Sequence, residues 1–155
     1  IAAAVKVGDV IKLKADVAID GANKPIYTLN STMFQFLKNG NDNTGSLADN
    51  SSNNTKFDPI TFAAVDQAGT KVWFVVVDGR QINLTDGVWT SMGLKAHEMM
   101  QVAKRLGAYN MTRFDGGGST AMWAYSDGTG VLVNTPSDAK GERSCMNYIY
   151  IRARK

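Results

Sequence analysis

The sequence predicts an α+β fold: a mixed or mostly antiparallel sheet with few helices, one of them at about residues 94–106. Three observations lead there. Two β-branched and aromatic runs, Ile60 to Val65 and Val72 to Val77, are separated by a short Asp66-Gln67-Ala68-Gly69-Thr70 link that carries the turn glycine of a hairpin. Only one stretch has a convincing helical period. The second half then returns to short apolar runs broken by glycine, asparagine and proline, with no internal repeat.

In chain order, Val5, Val7, Val10, Leu13 and Val17 alternate with Lys6, Asp9, Lys12, Lys14 and Asp16, as in a strand with one wet face. Residues 33–37 form a second apolar run ending at Asn39-Gly40. Residues 41–56 are rich in Asn, Ser, Asp, Gly and Thr and read as a surface loop. Val72 to Val77 is apolar throughout, which predicts a central strand covered on both faces. A loop is expected from Gln81 to about Met92. In the helix, Ala96, Met99, Met100, Ala103 and Leu106 share one face, Lys104 and Arg105 suit the C-terminus, and Gly107 stands at the C′ position. Tyr109 to Phe114, Thr120 to Tyr125, Val131 to Val133 and Met146 to Ile151 complete the strands.

With 155 residues, the chain fits one domain able to bury a core, and its 44% hydrophobic and 20% charged content excludes a disordered chain. The net charge of +3 is modest. The basic end at Arg152, Arg154 and Lys155 lacks interleaved aromatics, so no nucleic-acid partner is expected. No run approaches the ~18 apolar residues of a membrane span. Cys145 is the single cysteine and reads as a small apolar strand residue; an internal disulfide is impossible. His97 is the single histidine, without a ligand cluster, so neither a zinc site nor any other metal or cofactor is expected. Its helical setting, and the lack of a nucleophile elbow, argue against a Ser-His-Asp triad. The chain begins at Ile1 with no signal peptide, as expected of a fragment or a mature product cut from something longer.

The strongest functional signal is Phe114-Asp115-Gly116-Gly117-Gly118-Ser119-Thr120. Three consecutive glycines lose much backbone entropy on folding and are kept where the chain must turn sharply or approach another group closely. Two readings are open at this point. Successive N–H groups can form an anion-binding nest beside Asp115, or the run is a tight turn between strands. The other polar landmarks are Asp78-Gly79-Arg80, Gly93 with Glu98, Asn134-Thr135-Pro136-Ser137-Asp138, and Glu142-Arg143 with Asn147.

In order and spacing these five short motifs resemble the phosphodiester glycosidase family, which includes an enzyme that uncovers mannose-6-phosphate by removing N-acetylglucosamine and many bacterial surface proteins. The resemblance is strong from about Ile60 to the end; residues 1–56 match loosely, through Gly8-Asp9 and Leu37…Asn39-Gly40. It implies hydrolysis of a sugar–phosphate diester at the glycosidic carbon, on a surface glycan or exopolysaccharide, by a secreted, periplasmic or cell-surface protein. Such chemistry needs an acid or base carboxyl, stabilisation of an oxocarbenium-like state and a cation for the departing phosphate. The family's motifs carry over Glu98 and Asp115 as the carboxylates and Arg143 as the phosphate clamp. Gly116, Gly117, Gly118 and Ser119 become donors to the ligand, and Asp78, Arg80, Asn134 and Asp138 line the sugar side. The alternative is a glycan- or sugar-phosphate-binding module of the same fold without turnover.

The chain also departs from the family. Pro59-Ile60-Thr61 lacks the arginine of the usual Pro-Arg-Thr, and Arg113, two residues before Asp115 and so on the same strand face, is expected to supply that charge. Lys95 replaces the threonine that usually caps the helix three residues before the glutamate. By helical period Glu98 falls well off the apolar face, near Arg105, and reads as solvated. The early Asn-Gly-Gly-Phe motif is absent, so the expectation is one domain over residues 1–155 lacking its N-terminal part, with an upstream segment of the same precursor as a partner.

Overall fold

The computed structural model describes residues 18–19, 22–23, 32, 34–43, 52–82, 89–145 and 148–151. The expected strand over Val5 to Val17 lies outside them. Two compact units are present, Ile1–Asn30 and Ser31–Lys155. In the first, β1 (Ala18–Ile19) pairs antiparallel with β2 (Ala22–Asn23).

The second unit is built on a five-stranded antiparallel sheet. Its strands are β3 (Phe34–Lys38), β4 (Asn41–Asp42), β5 (Ile60–Val65), β6 (Val72–Val77) and β9 (Asn110–Arg113), in the order β4-β3-β9-β5-β6. A short helix, α1 (Ser52–Thr55), precedes β5. β7 (Gln81–Ile82) and β8 (Trp89–Ser91) pair with each other, as do β10 (Trp123–Ser126) and β11 (Thr129–Leu132). This is the α+β architecture the sequence predicts, with α2 (Ala96–Leu106) as the main helix. Among the described residues no helix is long and apolar enough to cross a membrane.

The core forms where α2 meets one face of the sheet. Across the ladder Phe62 opposes both Arg113 and Val75, and Ala64 opposes Met111 and Trp73, so these side chains share a face. Ile60, Phe62, Ala64 and Met111 join Ala96, Met99, Met100 and Ala103 of α2 in one buried cluster. Phe36 and Leu37, adjacent in sequence, are both fully buried in it, because the register between β3 and β9 shifts between Gln35 and Leu37. α2 closes in a Schellman arrangement: Ala108 N–H donates to Ala103 O (3.0 Å) and Gly107 N–H to Lys104 O (2.9 Å), with Gly107 left-handed.

Several expectations are corrected. Among the described residues β6 is an edge strand rather than a central one; Trp73 to Val77 are half-buried, and Val72 is exposed. Its partners in the ladder are fixed by chain connectivity, which composition does not encode. The segment read as a loop from Gln81 to Met92 contains β7 and β8, and part of the 41–56 loop is β4 and α1. Residues 148–151 form no strand, and Tyr148, Tyr150 and Ile151 are largely exposed. Cys145 is exposed and outside any strand.

The β5–β6 turn is organised by Asp66, whose carboxylate accepts from Thr70 N–H (2.8 Å), Lys71 N–H (2.9 Å) and the Thr70 hydroxyl (2.8 Å). The backbone N–H of Lys71, followed by the Thr70 donors, holds its pKa below the ordinary 3.8. A carboxylate with a depressed folded-state pKa stabilises above its unfolded value, and that stabilisation is lost as pH falls through the folded one. The melting temperature of Asp66→Ala should therefore lie below wild type at neutral pH, and the gap should close as pH is lowered past 3.8. A gap independent of pH would show that the ionised carboxylate does not hold the turn.

Candidate active site

Three backbones meet where β5 begins. Asp58 and Leu94 exchange hydrogen bonds (Asp58 N–H to Leu94 O, 3.2 Å; Leu94 N–H to Asp58 O, 3.0 Å), which ties the start of the sheet to the approach of α2. Gly93 and Gly79 make this approach feasible: a Cβ on Gly93 would lie 2.1 Å from Asp58 O, and one on Gly79 2.7 Å from Pro59 N. The Asp58 carboxylate then receives Arg80, with Nε at 2.8 Å and Nη2 at 2.7 Å from Oδ1. The far side of that guanidinium reaches the glycine run, where a Cβ on Gly117 would be 3.3 Å from Arg80 Nη1. Asp58 was not among the residues singled out in the sequence. Its one signal is an acidic residue before Pro59 at a strand start, which reads equally well as a turn.

The glycine run itself leaves β9 and tightens into a 3₁₀ turn at Gly117–Ser119. Gly117 N–H donates to Pro59 O (3.2 Å), Ser119 N–H to Gly116 O (3.2 Å) and Thr120 N–H to Gly117 O (3.1 Å). Part of the expected nest is therefore used inside the protein. The N–H groups of Gly116 and Gly118 have no protein acceptor among the described residues. Gly118 is packed against the Asp138 carboxylate, whose atoms would stand 2.1–2.2 Å from a Cβ there. Asp138 in turn takes Arg143 in a two-pronged pair, Nε at 2.9 Å and Nη2 at 3.0 Å. Arg143 also donates its backbone N–H to Gly118 O (3.2 Å), and its Nη1 lies 3.5 Å from Ser119 Oγ. Asp138 holds the pKa of Arg143 above its ordinary value, chiefly by the side-chain hydrogen bond, and Asp115 adds to the effect. Arg143, Asp138, Ser119 and the triple-glycine bend thus form one assembly, within the field of Asp115.

Asp78 and Asn134, expected on the sugar side, are bonded to each other and to neighbouring backbone. Asp78 Oδ1 accepts from Asn134 Nδ2 (2.9 Å), and both carboxylate oxygens accept from Thr135 N–H (3.0 Å each). Asn134 Nδ2 also reaches Thr120 O (3.0 Å), and its Oδ1 accepts from Met122 N–H (2.8 Å). The pair fastens the end of β6 and the irregular segment after β11 to the exit of the glycine bend. Glu98 is half-buried rather than solvated, and its Oε2 accepts the Lys95 N–H at 2.8 Å. That is half of a capping box; the other half is missing because the lysine has no acceptor, and its ammonium lies over the Phe57 ring, 4.7 Å from the centroid. Glu98 is connected toward the bend through Lys95, Leu94 and Asp58.

Arg113 is 2% exposed beneath the bend, with Nη2 3.5 Å from where a Gly116 Cβ would stand. Burial lowers its pKa, and the charges of Asp58 and Asp115 oppose that shift. A guanidinium this covered is expected to act on a ligand through those two carboxylates, as a positioning residue. Arg113→Met, which retains most of the volume, should weaken phosphate-bearing and neutral sugar ligands alike in equilibrium titrations. Selective loss of the phosphate-bearing ligands would instead make Arg113 the cation that replaces the family arginine.

Four carboxylates around the bend are engaged in holding structure: Asp58 holds Arg80, Asp78 the 134–135 segment, Asp138 Arg143, and Glu98 the start of α2. Asp115 differs. It is exposed, accepts no hydrogen bond from protein among the described residues, and acts electrostatically on both Arg113 and Arg143. A search of curated proteins finds no match to the chain. The family model described as phosphodiester glycosidase matches residues 3–152, beyond the region from Ile60 onward where the motif resemblance is strongest. By this match over nearly its whole length, the chain belongs to the phosphodiester glycosidase family.

Proposed function

We propose that this chain hydrolyses a sugar phosphodiester at the glycosidic carbon, with Asp115 as the reacting carboxylate. The observation that carries the reading is that Asp115, the residue next to the triple glycine, is exposed, accepts no protein hydrogen bond among the described residues, and acts electrostatically on both Arg113 and Arg143. A carboxylate in that setting is available to activate water, or to meet the positive charge that develops on the sugar ring. The leaving phosphodiester already carries its charge, so its departure needs a cation more than a proton. Arg143 supplies one beside Ser119, and half-exposed Arg80 a second beside Gly117. The two uncommitted N–H groups of the bend add donors. Glu98 serves by fixing the start of α2 and, through Leu94, the position of Asp58. The substrate is a surface glycan or exopolysaccharide, met outside the cytoplasm.

The test is release of sugar from a chromogenic or nucleotide-sugar phosphodiester. Release that follows Asp115 supports hydrolysis. Saturable binding of a sugar phosphate without release supports a second reading, a binding module. That reading is favoured by the commitment of Arg143 to Asp138 and the burial of Arg113.

A further inference from the structure

The β10–β11 hairpin displays two aromatic rings that the proposed reaction does not use. Trp123 and Tyr125 alternate onto one face, opposite Leu132 and Gly130 in the ladder, and are 46% and 75% exposed. Both rings are held in place. Trp123 Nε1–H donates to Glu142 Oε2 at 2.8 Å. The Tyr125 ring lies over Gly130, where a Cβ would come within 2.6 Å of Cε1. Glu142 immediately precedes Arg143, whose backbone N–H is bonded to Gly118 O. Trp123 is therefore anchored to the same loop as the guanidinium of the candidate site, and Tyr125 stands two residues along the same strand.

We propose that Trp123 and Tyr125 form a stacking platform for pyranose rings of a saccharide chain that extends from this site, an inference that rests on the sugar-phosphodiester reading. An aromatic face carries partial negative charge and attracts the C–H-lined face of a pyranose. Residues i and i+2 of a strand stand about 6.6 Å apart, so one saccharide chain can lie across both rings. Rings already fixed lose little side-chain freedom on binding. A protein partner fits less well: two rings offer at most about 500 Å², against about 800 Å² per partner in a stable interface. Val131, opposite Ala124, belongs to the other face of the hairpin.

The experiment is a fluorescence and calorimetric titration of the whole chain with cellotetraose, maltotetraose and chitotetraose. At least one should bind saturably. Trp123→Leu and Tyr125→Leu, which keep apolar area but remove the flat face, should each weaken that binding about tenfold, the loss of one stacked ring. Tyr125→Phe should retain it, and none of the three should change release from a minimal chromogenic phosphodiester. No saturable binding, full binding by the leucine variants, or equal loss in Tyr125→Phe would overturn the platform. So would a concentration-dependent dimer, detected by sedimentation, that Trp123→Leu abolishes. If ring-dependent binding persists while no phosphodiester is cleaved, the hydrolytic reading fails and the platform stands.

Discussion

Asp115→Asn is expected to lower sugar release about 100- to 10,000-fold while leaving the protein folded. The substitution is isosteric, the side chain is exposed, and no protein donor among the described residues depends on its charge. Buried Arg113 retains Asp58 as a counter-charge, and Arg143 retains its two-pronged pair with Asp138. Loss of rate without loss of fold would thus report on chemistry. Arg143→Ala should act in the same direction through the departing phosphate, and by a smaller factor on substrates with better leaving groups, since these need less charge neutralisation. The checks are initial rates with a chromogenic and a nucleotide-sugar phosphodiester, beside melting curves. Wild-type rates in Asp115→Asn, with an unchanged melting temperature, would remove Asp115 from the mechanism.

The distinction between Asp115 and its neighbouring carboxylates was not legible in the sequence. Asp78 and Asp115 both come just after a strand and precede glycine, so sequence context treats them alike. The difference arises from the 134–135 segment, which returns to Asp78 across 56 and 57 positions and consumes its lone pairs. The Asp58–Arg80 pair was hidden for the same reason: it requires the 58–59, 79 and 93 backbones to converge. Local signals, by contrast, held. β5 and β6 begin and end where their β-branched runs do, α2 stops at Gly107, and Asn39-Gly40 turns with both residues at positive φ. The helix start moved from Leu94 to Ala96 because Leu94 is drawn into the bridge with Asp58. The association of Arg143 with the glycine run was legible only as an ordered series of motifs, and the Asp138 carboxylate against Gly118 supplies its physical basis.

The largest expected effect on stability belongs to Gly93→Ala. Its backbone is left-handed at φ +93, and its Cβ would stand 2.1, 2.4 and 2.9 Å from the O, C and N of Asp58. Backbone cannot swing aside as a flexible side chain does. Relief must separate the two segments and lengthen both Asp58–Leu94 hydrogen bonds, at about 1 kcal/mol each, in addition to left-handed strain of about 1–3 kcal/mol. The total of about 3–5 kcal/mol corresponds to a melting temperature lower by roughly 10 °C for a chain of this size. Gly69→Ala is the control: φ is +69, but nothing lies within 4 Å of its Cβ, so strain alone acts and the loss should be near 1 kcal/mol. Moving Asp58 also moves Arg80 away from Gly117, so any folded Gly93→Ala protein should lose sugar release that Gly69→Ala retains. Equal melting temperatures for the two variants would mean that the close approach of Asp58 to Gly93 does not hold the site together.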